Sequence, residues 1–134
     1  MVLMNAYQTI DVASGGVVEA EVTVQRSRFL AQACRVQDEP AAREFIAAVA
    51  ATHHDARHHC TAFVLGPAGE VRRSNDDGEP AGTAGRPILD SISGRDLSDV
   101  VVVVTRWFGG TLLGTGGLTR AYGEHTDGAA YGSV

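Results

Sequence analysis

His53, His54, His58, His59 and Cys60 crowd four imidazoles and a thiol into one short stretch. Imidazole and thiolate are zinc ligands, and a histidine beside a cysteine is also the setting of an activated nucleophile. Neither chemistry is completed here. His54 and His58 stand at i, i+4, but the apolar helix pattern upstream has ended before them, and no second Cys/His cluster supplies the remaining ligands. The plainer expectation is that His58 and His59 hydrogen-bond neighbouring loops. Cys60 then packs as a small apolar side chain beside Ala62 and Val64. No metal or cofactor is expected.

A second polar segment runs Asp76-Asp77-Gly78-Glu79-Pro80-Ala81-Gly82-Thr83-Ala84-Gly85. With Asn75 it resembles part of a calcium loop but lacks that loop's spacing. Asp and Asn bond their own backbone, and Gly78 offers positive φ, so a turn presenting carboxylates to arginines is the better reading. If the segment does chemistry, His58, Asp76, Asp77 and Glu79 are the acid–base candidates. The third segment, Thr105 to Leu118, places Gly109, Gly110, Gly114, Gly116 and Gly117 after an apolar run. Strand, glycine loop and helix in that order suit an anion, because amides at a helix start are free. Neither the Walker pattern nor Gly-x-Gly-x-x-Gly is present, which weakens a nucleotide reading. Trp107 and Phe108 offer rings on which a base would stack.

These segments must be held by regular elements. Val17 to Val24 alternates valine with acidic or small residues and reads as a half-buried strand. Arg28 to Val36 reads as its hairpin partner, turned at Arg26-Ser27. Asp38-Glu39-Pro40 signals a helix start, with Phe45, Ile46 and Val49 as its apolar stripe and an end near Thr52-His53. Cys60 to Leu65 and Glu70 to Arg73 read as a second hairpin about Gly66-Pro67-Ala68-Gly69, followed by a loop over residues 74–86. Pro87 to Ile92 suits a short helix ended by Gly94. Val100 to Thr105, apolar at successive positions, requires cover on both faces and a central place in the sheet. Gly116-Gly117 then opens a helix through Leu118, Ala121 and Tyr122. These elements predict an α+β two-layer sandwich, a mixed sheet with helices on one face.

At 134 residues the chain suits one domain. Its net charge is −5, and every basic residue is arginine. No basic tract exists for non-specific DNA binding. Arg57, Arg72, Arg73, Arg86, Arg106 and Arg120 can still converge in space, and their forks suit phosphate or carboxylate. The longest apolar run, the five valines from Val100, is far too short to span a membrane. The first residues lack the pattern of a secretory leader. A cytoplasmic protein with Cys34 and Cys60 as thiols is expected.

Taken in order, Arg57-His58-His59-Cys60, then Asp76 to Gly85, then Thr105-Arg106 with Phe108-Gly109-Gly110 and Gly114-Thr115-Gly116-Gly117-Leu118 resemble the Impact family amino-terminal domain. That family includes the bacterial YigZ-type proteins. The resemblance spans about Ser27 to Gly123 and treats residues 1–134 as a single Impact-type domain with motif core 27–123. It implies the fold of elongation factor G domain IV, also found in a ribosomal small-subunit protein. Bacterial relatives commonly carry a further, carboxy-terminal ferredoxin-like domain, and the expectation is that it is absent here. Two departures stand out. Residues 124–132 lack the apolar spacing of a closing helix, and Leu113 stands where relatives often have lysine.

The resemblance implies a noncatalytic, translation-linked module. Its partner would be RNA, the ribosome or a regulatory protein, with a small anionic ligand as a further option. The expected binding surface comprises Arg57, His58, His59, Asp76, Asp77, Glu79, Thr83, Arg106, Gly109, Gly110, Gly114, Thr115, Gly116 and Gly117. The competing expectation is an enzyme acting on a phosphorylated or carboxylated metabolite through the His/Asp/Glu/Arg cluster.

Overall fold

A computed structural model describes residues 9, 10, 12, 13 and 15–131. Val17–Val24 (β1) and Ser27–Arg35 (β2) pair antiparallel. The turn is Gln25-Arg26, one residue earlier than expected, and both residues are left-handed (φ 46° and 72°), as a two-residue hairpin link requires. Helix α1 spans Glu39–Thr52. Asp38 caps it by accepting from the Ala41 N–H at 2.9 Å, Pro40 sits in its first turn, and it stops at His53 as predicted. His58–Leu65 (β3) and Val71–Asn75 (β4) form the second hairpin. Pairing begins at His58, before Cys60, and reaches Asn75, so both histidines and residues 74–75 are strand and not loop. Gly85–Ser93 (α2), Val100–Trp107 (β5) and Gly114–Tyr131 (α3) complete the order.

The five strands lie in the order β1-β2-β5-β3-β4, with β5 at the centre as its valines demanded. Every pair is antiparallel, so the expected mixed sheet is corrected within the α+β class. The reason is insertion. The connection through α1 makes β2 and β3 run the same way, but β5 slots between them and opposes both.

Helices also occupy both faces, not one. Phe29, Ala31, Ala33, Cys60, Ala62, Val64, Val100, Val102 and Val104 pack against Ile88, Ile92, Leu118, Ala121 and Tyr122 of α2 and α3. The alternate residues Cys34, Phe63, Leu65 and Val101 pack against Ala42, Phe45 and Ile46 of α1. A strand that is apolar at every position needs two covered faces, and α1 supplies the second.

The third difference is α3, which continues to Tyr131 through the segment that lacked apolar spacing. Its inward face there is His125, Thr126 and Ala129. The His125 ring packs 4.9 Å from Phe29, and Thr126 Oγ1 donates to the Tyr122 carbonyl. Polar and small side chains do what a hydrophobic pattern would have announced. Among the described residues, no helix is long and apolar enough to cross a membrane.

Candidate functional site

The β3–β5 register sets His58 opposite Arg106 and His59 opposite Thr105. The loop between β4 and α2 folds back over this pair, and Asp76 holds it there. Its Oδ1 accepts from the N–H groups of Gly85 (2.8 Å) and Ala84 (3.2 Å), and its Oδ2 from Gly82 (2.9 Å). Ala84, at the N-cap of α2, has no side-chain cap of its own, so Asp76 caps that helix from outside it. Partial burial alone would raise the Asp76 carboxyl. The donors from Gly82, Gly85 and Ala84 outweigh it and hold the group below its ordinary value. Thr83 is buried and donates its hydroxyl to the Pro80 carbonyl.

Asp77 ties the same loop to β3. Its Oδ2 accepts from the His59 N–H at 2.7 Å, and its carbonyl lies 2.8 Å from His58 Nδ1. A carbonyl only accepts, so Nδ1 is the donor. By the same logic His59 Nε2 donates to the His53 carbonyl at 2.8 Å.

Glu79 is the centre of the arrangement. Arg106 Nη1 donates to both its oxygens, at 3.0 and 2.8 Å. The Tyr122 hydroxyl donates to Oε2, and His58 Nε2 stands 3.5 Å from Oε1. The side chains of Glu79 and Arg106 are each only 4% exposed. Behind Arg106, Nε and Nη2 both donate to Ser27 Oγ at 3.2 Å, and its guanidinium faces Phe29 and Phe108 at 5.6 and 5.5 Å. Burial, then the nearby Cys60 and Glu79, push the Tyr122 phenol up, so it remains a donor. Burial likewise pushes the Cys60 thiol up, and its Sγ donates to the Asp76 carbonyl at 3.1 Å. A thiol held in that form is a poor nucleophile. Cys34 and Cys60 are both free and lie on opposite faces of the sheet.

The glycine segment joins this network at one end and leaves it at the other. A Cβ on Gly109 would lie 2.2 Å from the Arg26 carbonyl carbon and oxygen, so only glycine lets the loop pass the β1–β2 turn. Gly110 and Gly114 are left-handed (φ 86° and 74°) and face open space. Thr115 and Gly116 are exposed and Gly117 is half-buried in the first turn of α3. Leu112 is 84% exposed. Arg57 is exposed, with its guanidinium 4.8 Å from the Phe108 ring and its N–H bonded to the Arg106 carbonyl.

The first two motif segments and Arg106 therefore meet, while Gly110 to Gly116 extend away from the buried charges. Sequence reasoning missed Ser27 and Tyr122. Both lie at the ends of the motif core, and a seryl and a tyrosyl hydroxyl bracketing a charged motif were the available signal. Among the described residues, no group of three or more His, Cys, Asp or Glu side chains is placed to hold a metal.

An α+β fold with this motif network defines a known class. The Impact N-terminal domain matches residues 25–130, and the chain belongs to the Impact family. It is 43% identical over 122 residues to Impact family member YvyE of Bacillus subtilis, covering 91% of this chain and 54% of that protein. To YigZ of Escherichia coli it is 45% identical over 102 residues, covering 75% and 50%. The chain thus spans about half the length of the curated relatives it matches. A crystal structure of a hypothetical protein superposes with TM-score 0.85 at 38% identity, covering 92% of this chain and 59% of that one. Yih1, described as a two-domain translational regulator, superposes with TM-score 0.58 at 28% identity, covering 89% and 48%.

Proposed function

We propose that the chain is a noncatalytic binding module with a translation-linked regulatory role, contacting RNA or the ribosome through its glycine-rich motif surface. The observation that carries this reading is the inward pairing of the ionisable motif residues. Glu79 bonds Arg106 and Tyr122 with His58 beside it, and Asp76 is occupied by three backbone amides. Groups so committed hold loops and are poorly placed to exchange protons with a substrate. What remains open to a partner is Arg57 on Phe108 and the loop from Gly110 to Gly116. The likeness to Yih1 supplies the link to translation.

Fluorescence anisotropy with single-stranded and structured RNA across a salt series tests the reading. Binding should weaken as salt rises, because phosphate contacts release counterions. Arg57→Ala should weaken it several-fold without unfolding the protein. Absent or salt-independent binding would sink the RNA form of the reading, and turnover of a metabolite would restore the enzyme.

A further inference from the structure

Helix α1 packs on β3 and β5, while β4 at the sheet edge stays exposed from Arg72 to Asn75. A groove of about 400 Å³ runs between α1 and the β3–β4 hairpin. It opens on the face of the sheet opposite the Glu79–Arg106 pair. Thr61 and Phe63 of β3 form its floor, and Ile46 and Ala50 of α1 form an apolar wall. Thr61 is only 6% exposed, yet its hydroxyl has no hydrogen-bond partner among the described residues. The oxygen is not sealed in: it keeps accessible surface, and the groove is the opening that Thr61 lines. A nearly buried hydroxyl is costly unless a group from outside meets it.

Two guanidiniums flank that floor. Arg73 stands directly across from Phe63 on β4, and Arg43 reaches from α1 to 5.3 Å over the Phe63 ring. Arg43 gives Nε and Nη2 to Glu39, which leaves Nη1 uncommitted. Arg73 gives Nη1 to the Arg72 carbonyl and makes no ion pair among the described residues, which leaves Nε and Nη2. The one acid on the lining is Asp77, at the His59 end, where its Oδ2 accepts from the His59 N–H. The groove is therefore net positive in a chain whose net charge is −5.

We infer that this groove binds a small phosphorylated molecule, its phosphate among Arg43, Arg73 and the Thr61 hydroxyl and its body along Ile46 and Ala50. Sites that enclose whole small molecules occupy about 300–1,000 Å³, and this groove falls within that range. Its donors come from three directions: helix, edge strand and floor. That arrangement suits a tetrahedral phosphate, whereas a planar carboxylate is best met by a single fork. The site stands apart from the glycine-rich motif surface and does not depend on the RNA reading.

The experiment titrates the full chain with phenyl phosphate, inorganic phosphate and benzoate, following the Thr61, Phe63 and Asn75 amide resonances by NMR. Phenyl phosphate should shift all three and bind more tightly than inorganic phosphate, because its ring meets the apolar wall. Arg73→Gln should weaken phenyl phosphate about tenfold, the scale of one charge-assisted contact. Arg73 is exposed, so that variant should fold. Thr61→Val should weaken binding several-fold without lowering the melting temperature, since a methyl replaces a hydroxyl that bonds nothing in the fold. Phenyl phosphate that leaves the three amides unmoved, or binds both variants as tightly as the parent chain, overturns the inference. Benzoate binding as tightly as phenyl phosphate overturns the assignment to phosphate. A Thr61→Val protein that melts lower and binds unchanged would return the hydroxyl to the fold and overturn its place in the site.

Discussion

Glu79 with Arg106 and the loop from Gly110 to Gly117 belong to the same set of motifs, yet they use their residues in opposite ways. In the first region each charge has a buried counterpart: guanidinium, carboxylate, phenol, imidazole and the Ser27 hydroxyl saturate one another. In the second, Leu112, Gly116 at the helix start and Arg120 are exposed, and Arg120 makes no ion pair among the described residues. Paired charge in a low-dielectric interior pins loops in place, whereas unpaired groups at a rim are available to a ligand. Rich chemistry in a motif is therefore no guide to where binding occurs until burial is known.

The comparison breaks most directly at Glu79. Glu79→Ala leaves Arg106 buried without its counterion and should cost about 3–5 kcal/mol in urea unfolding. A loss below about 1 kcal/mol, the scale of an exposed pair, would mean that the network does not hold the fold. Gly109→Ala probes the seam between the regions. Its new Cβ would collide with the Arg26 backbone, and overpacking of this kind costs about 1–3 kcal/mol. An unchanged melting temperature would show that the loop moves freely past the turn.

Asp76→Ala should cost about 0.5–2 kcal/mol, as loss of a helix cap does. This site also carries a pH signature. The folded-state carboxyl lies below its ordinary value of 3.8, so the unfolded chain binds the proton more tightly. The stabilisation from Asp76 is then fully present above that ordinary value and is lost as pH falls through the depressed folded value. Urea unfolding of Asp76→Asn across the acid range should lack this component, and an identical pH profile would refute the assignment. The smallest effect belongs to the outer region. Leu112→Ser should change stability by no more than about 0.5 kcal/mol, while its loss of apolar surface should be visible only in partner binding. A large drop in stability would place Leu112 with the structural residues.

Much of the fold was legible because its signals are local. Asp38 and Pro40 open α1, five consecutive valines define the central strand, and Gly94 closes α2. The second half of α3 was illegible because its buried face is His125, Thr126 and Ala129, which no hydrophobic period reveals. The side on which α1 packs was partly legible. Valine at every position of β5 implied two covered faces, but not which helix would cover the second.

The candidate site divides in the same way. The sequence alone determined which residues form the motif set, where its glycines must stand and which family the chain belongs to, since these follow from residue types in order. Only the tertiary structure decided that Glu79 and Arg106 point inward, that Arg120 stays exposed and that His125 is buried against Phe29. The physical reason is distance along the chain. A cap or a turn is satisfied within a few residues, whereas the partner of Glu79 lies 27 residues away on β5, and whether a charge is buried depends on everything that folds over it.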